Sequence, residues 1–342
     1  MNVEVLKVAV VGCGYHGTSL AQAVLRANEF QLVAGVDPDP TARQTFAAAA
    51  PGVDTYDSIA GLLAGDSIDA VLIATTHDAL APSALAAIRA GKHVMVEKPM
   101  ALNEDQAKEV EFAAASAGVI CMVGYSFRYG MAHHVQQLLT QGIIGDVRAV
   151  TGAIATGEMD EGWVARADSG GGPLLYVGCH LIDLALWFMD AEPTYVFATV
   201  HDRPDTGVDE ASAITLEFSG GRLAQFLVTQ QASGFFYDLR IIGSTGLIGL
   251  RGRNFLQFDV EVQSETHQAY HDPTLIRPAM QGDHISMMLV PELAEFAAAI
   301  AEKRAPAITA TDGRKVLRVM DAARRSSETR QPVRLQSALS AY

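Results

Sequence analysis

The stretch Lys7-Val-Ala-Val-Val-Gly12-Cys-Gly14-Tyr-His-Gly17 decides the fold of the first part of the chain, because an apolar strand runs straight into three glycines spaced as GxGxxG. In this pattern Gly12 permits a tight turn, Gly14 lets the backbone approach a pyrophosphate, and Gly17 lets helix and strand pack closely. The helix that follows presents free N–H groups to phosphates at its N-terminus. A plain glycine-rich turn is the alternative, but strand, loop and helix follow in the order that a dinucleotide site requires.

An acidic residue strengthens this prediction. Asp37 ends the second apolar run, 20 residues after Gly17, where a carboxylate can accept hydrogen bonds from the adenosine ribose hydroxyls. A 2′-phosphate at that place would meet a like charge, so the sequence favours NAD over NADP. Tyr15 and His16 lie within the glycine loop and are further candidates for contact with the cofactor.

Short apolar runs alternate with Ala-rich helical patterns over residues 1–124, which is typical of a parallel sheet with crossover helices. Strands this apolar are usually covered on both faces. We therefore predict a doubly wound α/β domain over residues 1–124. The runs are Lys7–Gly12, Gln31–Asp37, Asp69–Thr75, His93–Glu97 and Val119–Gly124, and helical patterns include Ala79–Ala90 and Glu104–Ala117.

The pattern changes after residue 124. Between Val147 and Val262 several runs alternate apolar and polar residues, and Gly220-Gly221 separates two of them as in a hairpin. We predict an α+β domain over residues 125–342, built on a mostly antiparallel sheet with one open face. Its helical patterns are Met131–Gln141, His180–Met189, Pro291–Glu302 and Asp312–Thr329.

Composition narrows the class of protein. The 342 residues carry 25 Lys and Arg against 39 Asp and Glu, a net charge of −14 that repels nucleic acid. The sequence predicts neither a membrane span nor a signal peptide. Cys13, Cys121 and Cys179 lie in apolar runs, which predicts buried reduced thiols and a cytoplasmic protein.

The run His93–Glu97 leads directly into Lys98-Pro99. The carboxyl ends of strands in a doubly wound sheet face the ligand crevice, so Lys98 is predicted beside the nicotinamide half of the cofactor. Pro99 restricts the residue before it to an extended backbone, which aims the lysine. By position alone, a solvated surface lysine is an equal alternative.

A second unusual stretch runs from Gly170 to Asp183, with three consecutive glycines at its start. Tyr176 and His180 are four residues apart, so on a helix they lie on one face. A single histidine on such a face is more often a packed structural residue than a catalyst. The presence of a lysine on the crevice-facing loop of another domain favours a catalytic role for His180.

Taken together, these residues resemble the Gfo/Idh/MocA oxidoreductases, a family that includes glucose–fructose oxidoreductase and myo-inositol dehydrogenase. The resemblance rests on motifs in a fixed order and extends over the whole chain. They are the glycine loop, Ala90–Ala101, Ile143–Arg148, Trp163, Gly170–Asp183 and the closing pattern that begins at Asp312.

The resemblance implies a Rossmann domain followed by a substrate domain, and it gives roles to individual residues. The lysine of Glu97-Lys98-Pro99 and the histidine of the glycine stretch, His180, are active-site residues in such enzymes. Thr75, Thr76, His77 and Glu97 become candidates for cofactor contact. Arg128, Trp163 and Arg166 become candidates for the substrate pocket, although a surface arginine or a core indole is the ordinary alternative.

Two stretches depart from the family pattern. The family usually has an aspartate four residues before the histidine, where this chain has Tyr176. It also often reads Thr-Pro-Asn-x-x-His after the fourth strand, where this chain has Ala74-Thr-Thr-His-Asp-Ala-Leu80. The first change bears on substrate and proton transfer, and the second on the detailed cofactor contacts.

No metal site is predicted. His267, His271 and Asp272 have a ligand-like spacing, but the sequence offers no third ligand at a recognisable distance from the two histidines.

We therefore predict hydride transfer between NAD and a hydroxyl-bearing carbon of a small sugar, cyclitol or related polyol. In this interpretation His180 is the general base, Lys98 polarises the substrate oxygen, and Tyr176 orients His180 or binds substrate. Alternatives are an NAD-assisted glycosidase of the same family and a catalytically silent NAD-binding regulator. The resemblance further implies a homodimer or homotetramer formed through the C-terminal sheet.

Overall fold

The computed structural model describes residues 5–65, 67–158, 160–254, 256–278 and 282–335. The chain divides into two compact units. The first contains the residues up to Tyr129 together with Gly282–Arg314, and the second contains Gly130–Gln281 and the residues from Lys315 onward.

The strands and helices are as follows. The strands are β1 (Leu6–Val11), β2 (Phe30–Val36), β3 (Asp54–Tyr56), β4 (Ala70–Ile73), β5 (His93–Glu97), β6 (Cys121–Gly124), β7 (Val147–Ala155), β8 (Pro193–Asp202), β9 (Asp209–Phe218), β10 (Leu223–Thr229), β11 (Phe236–Gly243), β12 (Gly246–Gly252), β13 (Phe258–Ser264), β14 (Thr274–Ile276) and β15 (Val333–Arg334). The α-helices are α1 (Tyr15–Arg26), α2 (Pro40–Ala49), α3 (Ile59–Gly65), α4 (His77–Arg89), α5 (Glu104–Ala117), α6 (Met131–Thr140), α7 (Cys179–Met189), α8 (Val290–Glu302) and α9 (Ala310–Thr329).

The first unit is built on a parallel sheet with the order β3-β2-β1-β4-β5-β6. This is the doubly wound arrangement that the sequence predicted, and the five predicted strands are present. The strand order reverses between β1 and β4, and ligands of such sheets bind at the carboxyl ends of strands beside that point. β3 escaped prediction because it has three residues, none of them buried.

The segment Gly282–Arg314 packs within the first unit, whereas the sequence pattern predicts a second domain that contains all residues after 124. The apolar face of α8 explains this packing. Leu293 and Phe296 are buried in one core cluster with Leu20 and Val24 of α1, and the Phe296 ring stacks on Phe30 with 6.4 Å between centroids. A packed pair of aromatic rings stabilises the fold by about 0.5–1.5 kcal/mol beyond the effect of the apolar area that it buries.

The second unit is built on a sheet of nine strands with the order β14-β13-β12-β11-β7-β10-β9-β8-β15. Within the described residues β7 and β10 pair in parallel, and the other neighbouring strands are antiparallel. Gly220 and Gly221 both have positive φ in the turn that joins β9 to β10, which confirms the predicted hairpin. The mostly antiparallel sheet is therefore confirmed.

The two faces of this sheet differ in burial. Side chains along β10 alternate between exposed and buried, as expected when one face is covered and the other is open. On the covered side, Ser326 and Ser327 of α9 accept hydrogen bonds from the backbone N–H groups of Ala198 and Val200 at 3.0 and 2.8 Å. The open face carries large apolar side chains, which are Tyr195, Phe197, Leu223, Leu227, Phe236 and Ile242.

Among the described residues one segment, Ala167–Met189, is long and apolar enough to span a membrane, judged by length and composition alone. Within the fold, 89% of its most apolar window is buried. Burial of this degree is what a core helix of the second unit requires.

Candidate cofactor and substrate site

The glycine loop between β1 and α1 has the geometry that the sequence predicted. Gly12 has φ +98°, and a Cβ there would overlap the carbonyl oxygen of Ala74. A Cβ on Gly17 would overlap the carbonyl oxygen of Gly12, so the turn closes only with glycine at both positions. A Cβ on Gly14 would meet nothing within 4 Å. The backbone at Gly14 is thus open to a ligand, which fits the approach of a pyrophosphate.

Asp37 lies directly beside this loop. Its Oδ2 accepts a hydrogen bond from the backbone N–H of Cys13 at 2.9 Å, and its Oδ1 accepts one from Asp39 at the same distance. The carboxylate is half-buried and has lone pairs to spare for ribose hydroxyls. Burial and the neighbouring Asp37 charge raise the pKa of the Cys13 thiol to about 12, so this thiol stays neutral inside the loop.

We expect Asp37 to make the chain prefer NAD to NADP by one to three decades in affinity. Two unit charges 4 Å apart repel by about 4 kcal/mol at an effective dielectric constant of 20, which is the upper bound for the 2′-phosphate. Titrations of both cofactors measure the ratio. Asp37→Asn should reduce the ratio of NAD affinity to NADP affinity. The matched variant Asp39→Asn, which alters the N-cap of α2, should leave that ratio unchanged. Equal affinities of the wild-type chain for the two cofactors would remove the role given to Asp37.

His16 and Glu97 are brought together across the first unit. Glu97 is 6% exposed at the end of β5, and its Oε1 lies 2.7 Å from Nε2 of His16 in the glycine loop. A Cβ on Gly124 would come within 2.7 Å of the same carboxylate oxygen, so the glycine at the end of β6 makes room for Glu97. Tyr15, by contrast, points to solvent with 81% exposure.

The remaining cofactor candidates follow two neighbouring strands. Lys98 comes directly after β5 and is half-buried. Thr75 and Thr76 follow β4 and are half-buried, and His77 is 3% exposed as the first residue of α4. The residues that would hold NAD therefore lie at the carboxyl ends of β1, β2, β4 and β5, which is the side where such sheets bind ligands.

Arg128 belongs to the first unit rather than to the second domain in which the sequence analysis placed it. It ends a 3₁₀ turn, Ser126–Arg128, after β6 and is 8% exposed. A buried arginine requires polar partners, so Arg128 is more than a surface charge.

In the second unit, Tyr176 and His180 lie on one continuous helical segment with a change of helix type. Tyr176 is in a π-helical turn, Leu174–Gly178, and His180 is 4% exposed in the first turn of α7. Single π-helical turns within helices occur frequently at functional sites. The indole of Trp163 meets the Tyr176 ring edge to face, with 6.1 Å between centroids.

Arg166 lies apart from this aromatic contact. Its guanidinium donates to both carboxylate oxygens of Asp168 at 3.1 and 3.3 Å, and both side chains are more than half exposed. The same pair holds the pKa of Asp168 below its usual value. A substrate contact by Arg166 would compete with this exposed ion pair.

Two buried acids escaped the sequence analysis. Asp209 in the second unit and Glu292 in the first are both fully buried. Burial, together with the charge of Glu97, raises the pKa of Glu292 well above its usual value. Neither acid belongs to a local motif, so no signal in the sequence marks them.

Metal chemistry has no evident ligand set in the part of the chain that the structure describes. No group of three or more His, Cys, Asp or Glu residues there has the arrangement to hold a metal ion. Cys13, Cys121 and Cys179 are buried free thiols, as predicted.

A doubly wound sheet with this glycine loop and acid defines a dinucleotide-binding protein of the Rossmann type. Residues 6–125 match the family model described as "Oxidoreductase family, NAD-binding Rossmann fold", and residues 132–249 match the "GFO/IDH/MocA C-terminal domain". The chain belongs to the Gfo/Idh/MocA family, as the sequence predicted, and is an NAD-binding oxidoreductase.

Named relatives are dehydrogenases and reductases. A trans-1,2-dihydrobenzene-1,2-diol dehydrogenase of Danio rerio is 30% identical over 234 residues, which cover 68% of this chain and 70% of that protein. A 1,5-anhydro-D-fructose reductase of Ensifer adhaerens is 32% identical over 175 residues, which cover 49% of this chain and 53% of the reductase. The crystal structure of an aldose-aldose oxidoreductase from Caulobacter crescentus, complexed with glycerol, superposes with a TM-score of 0.84 at 26% identity, over 97% of this chain and 100% of that chain.

Proposed function

We propose that this protein transfers a hydride between NAD and a hydroxyl-bearing carbon of a sugar, cyclitol or related polyol. The observation that carries the proposal is the retention of Lys98 after β5 and of His180 at the start of α7, on a family fold whose glycine loop is open at Gly14. The relatives named above support it, because their names denote oxidation of a diol and reduction of an anhydro-sugar.

In this reaction NAD, when bound, supplies the hydride acceptor. Gly12, Gly14 and Asp37 would hold its adenosine and diphosphate parts, and Glu97 and His16 would lie along the same edge of the sheet. His180 would take the proton of the substrate hydroxyl, since a neutral imidazole is a competent base near pH 7. Lys98 would stabilise the negative charge that develops on the substrate oxygen as the O–H bond breaks.

Arg128, Trp163 and Arg166 would complete substrate binding, and Tyr176 would orient His180. The edge-to-face contact with Trp163 supports this role for Tyr176, because it fixes the ring one helical turn before His180. A phenol offers a hydrogen bond without the charge that an aspartate brings to a neighbouring imidazole.

We expect Tyr176→Phe to reduce turnover modestly and His180→Ala to be the more damaging change. The phenylalanine keeps the ring against Trp163 and removes only the hydroxyl, whereas the alanine removes the proton acceptor. Steady-state turnover of both variants on one substrate provides the measurement. If Tyr176→Phe abolishes hydride transfer while His180→Ala spares it, the two roles are reversed and Tyr176 is the acid–base residue.

The direct test of the function is a panel of sugars, cyclitols and other polyols, read by NADH absorbance. Stoichiometric NADH with at least one compound supports a dehydrogenase. Net hydrolysis of a glycoside with no accumulation of NADH would identify an NAD-assisted glycosidase instead. NAD binding with no turnover of any compound would point to a silent regulator.

The proposal includes a homodimer or homotetramer formed through the open face of the second unit's sheet, and a cytoplasmic location in keeping with three free thiols. Phe197 and Leu227 are 45% and 50% exposed on that face, an arrangement that marks an interaction surface when apolar residues adjoin.

We expect Phe197→Glu combined with Leu227→Glu to dissociate the oligomer, because buried charges would oppose association. Light scattering after size exclusion gives the mass. Phe112→Glu is the matched control, since Phe112 is 67% exposed on α5 of the first unit. A mass that is the same for the double variant and the wild type would rule out this face as the interface.

A further inference from the structure

Asp209 is a charged group of the second unit that the proposed mechanism does not use. It is the first residue of β9 and is 0% exposed. Its Oδ2 accepts a hydrogen bond from the backbone N–H of Leu174 at 2.8 Å, and its Oδ1 accepts one from the guanidinium of Arg324 at 2.8 Å. Asp209 therefore joins α9 to the glycine stretch, 35 residues before it in the chain.

The contact with Leu174 falls at the start of a functional helix. Leu174 is the first residue of the π-helical turn that contains Tyr176 and leads into α7 with His180. The first N–H groups of a helix lack partners within the helix, and a carboxylate is the favoured acceptor there. Asp209 thus satisfies one of these donors from a different element of the fold.

The position of the Asp209 carboxylate explains why residue 172 is a glycine. The φ of Gly172 is +102°, and a Cβ on it would overlap the carboxylate of Asp209. Glycine therefore allows the carboxylate to reach the backbone of the loop. The glycine stretch is shaped around Asp209 in addition to any ligand.

We propose that Asp209 is a positioning residue, whose carboxylate fixes the helical segment carrying Tyr176 and His180 through the N–H of Leu174. This inference rests on the proposed function, because that function gives the segment its catalytic role. A shift of about 1 Å in a catalytic group can cost about 100-fold in rate, so an anchor of this kind matters for turnover.

The charges around Asp209 add a dependence on pH. Burial, and to a smaller extent the charge of Asp202, raises its pKa to about 6 against the opposing effects of Arg324 and the Leu174 N–H. Arg324 also donates to Asp202 at 3.4 Å, and the Asp202 side chain is 48% exposed. As pH falls through about 6, protonation of Asp209 weakens its hold on Arg324 and Leu174.

The test compares Asp209→Ala, Asp209→Asn and Asp202→Asn. Asparagine keeps an oxygen that can accept from Leu174 and alanine keeps none, whereas Asp202→Asn removes the charge of the other acid that Arg324 contacts without touching the loop. We expect Asp209→Ala to lower kcat by about 10- to 100-fold with NAD affinity within twofold. Asp209→Asn, which is neutral like the protonated acid and keeps one acceptor oxygen, should give a kcat between that of Asp209→Ala and that of the wild type, and Asp202→Asn should match the wild type.

Hydrogen exchange gives a second readout that needs no substrate. The amides of residues 172 and 174–178 should lose most of their protection in Asp209→Ala and a smaller part of it in Asp209→Asn. In the wild type this protection should decline below about pH 6 toward the level of Asp209→Asn, and in Asp209→Asn it should not change through this pH range. The pH comparison of wild type and Asp209→Asn stands even where the alanine variant fails to fold.

The outcomes separate the inference from the function on which it rests. Unchanged kcat and unchanged protection in Asp209→Ala would overturn the inference while the proposed function stands. If no polyol is oxidised, the proposed function fails, and exchange alone decides the anchor: protection that Asp209→Ala leaves intact refutes it. A lowered melting temperature with normal kcat would reduce Asp209 to a structural role.

Discussion

Lys98→Met is expected to lower turnover about 10²- to 10⁴-fold while leaving NAD affinity within a few-fold. Methionine preserves much of the length of the side chain and removes its charge and its hydrogen-bond donors. The loss should fall on the chemical step, because the proposed role of Lys98 is to stabilise charge that exists only as the substrate oxygen is deprotonated. Stopped-flow hydride transfer and a separate NAD titration distinguish the two effects.

The chain offers a matched control for this experiment on the same strand. Lys92 precedes β5, and its ammonium donates to the carbonyl oxygen of Ile68 at 2.9 Å. Lys92→Met removes a lysine at the opposite end of β5 from Lys98 and should leave turnover near the wild-type value. Undiminished turnover in Lys98→Met, on a substrate verified with the wild type, would make Lys98 structural and remove the electrostatic element of the mechanism.

Local patterns carried most of the fold. The first predicted strand leads into a glycine loop that is partly fixed by neighbours close in sequence, because the carbonyl oxygen of Gly12 leaves no room for a Cβ on Gly17. The packing of α8 could not be predicted in this way. Its apolar face was visible as a pattern, but its partner, Phe30, is far away in the chain, and the pattern does not say which core a face will join.

The same limit applies to the candidate site. Some site residues can be recognised from the sequence because each follows a predicted strand or ends one, which is local information. These residues are Gly12, Gly14, Asp37 and Lys98. The contacts of Asp209 with Leu174 and Arg324 span 35 and 115 residues, and that of His16 with Glu97 spans 81. Such pairs depend on tertiary packing, so composition and spacing within one stretch leave them hidden.

Glu292 is a buried acid whose proton has a measurable effect on stability. It lies in the first turn of α8, is 0% exposed, and its two carboxylate oxygens have no hydrogen-bond partner among the described residues. Burial raises its pKa well above the usual value, and the charge of Glu97 adds to this effect. A charge on Glu97, which contacts His16, makes a second charge on Glu292 unfavourable, so the fold favours the protonated form of Glu292.

We expect Glu292→Gln to stabilise the protein progressively as pH rises. Above about pH 4.3 the unfolded chain loses the Glu292 proton, whereas the folded chain retains it up to its raised pKa. Between these two pKa values the wild-type free energy of unfolding therefore falls by about 1.4 kcal/mol per pH unit. Glutamine keeps the shape of the neutral acid and has no proton to lose. The variant and the wild type should therefore agree near pH 4, and the variant should become increasingly more stable than the wild type as pH rises toward the raised pKa of Glu292.

Glu295, on the same helix, gives a control of opposite sign. Its carboxylate accepts two hydrogen bonds from Arg304 at 2.6 and 2.8 Å, and this pairing lowers its pKa. A lowered pKa contributes stability above the unfolded value that is lost as pH falls, so Glu295→Gln should destabilise at neutral pH and converge with the wild type in acid. Urea unfolding of all three proteins across the pH range gives the curves. A Glu292→Gln difference that stays flat with pH would mean that Glu292 titrates alike in both states, and the buried protonated acid would have to be abandoned.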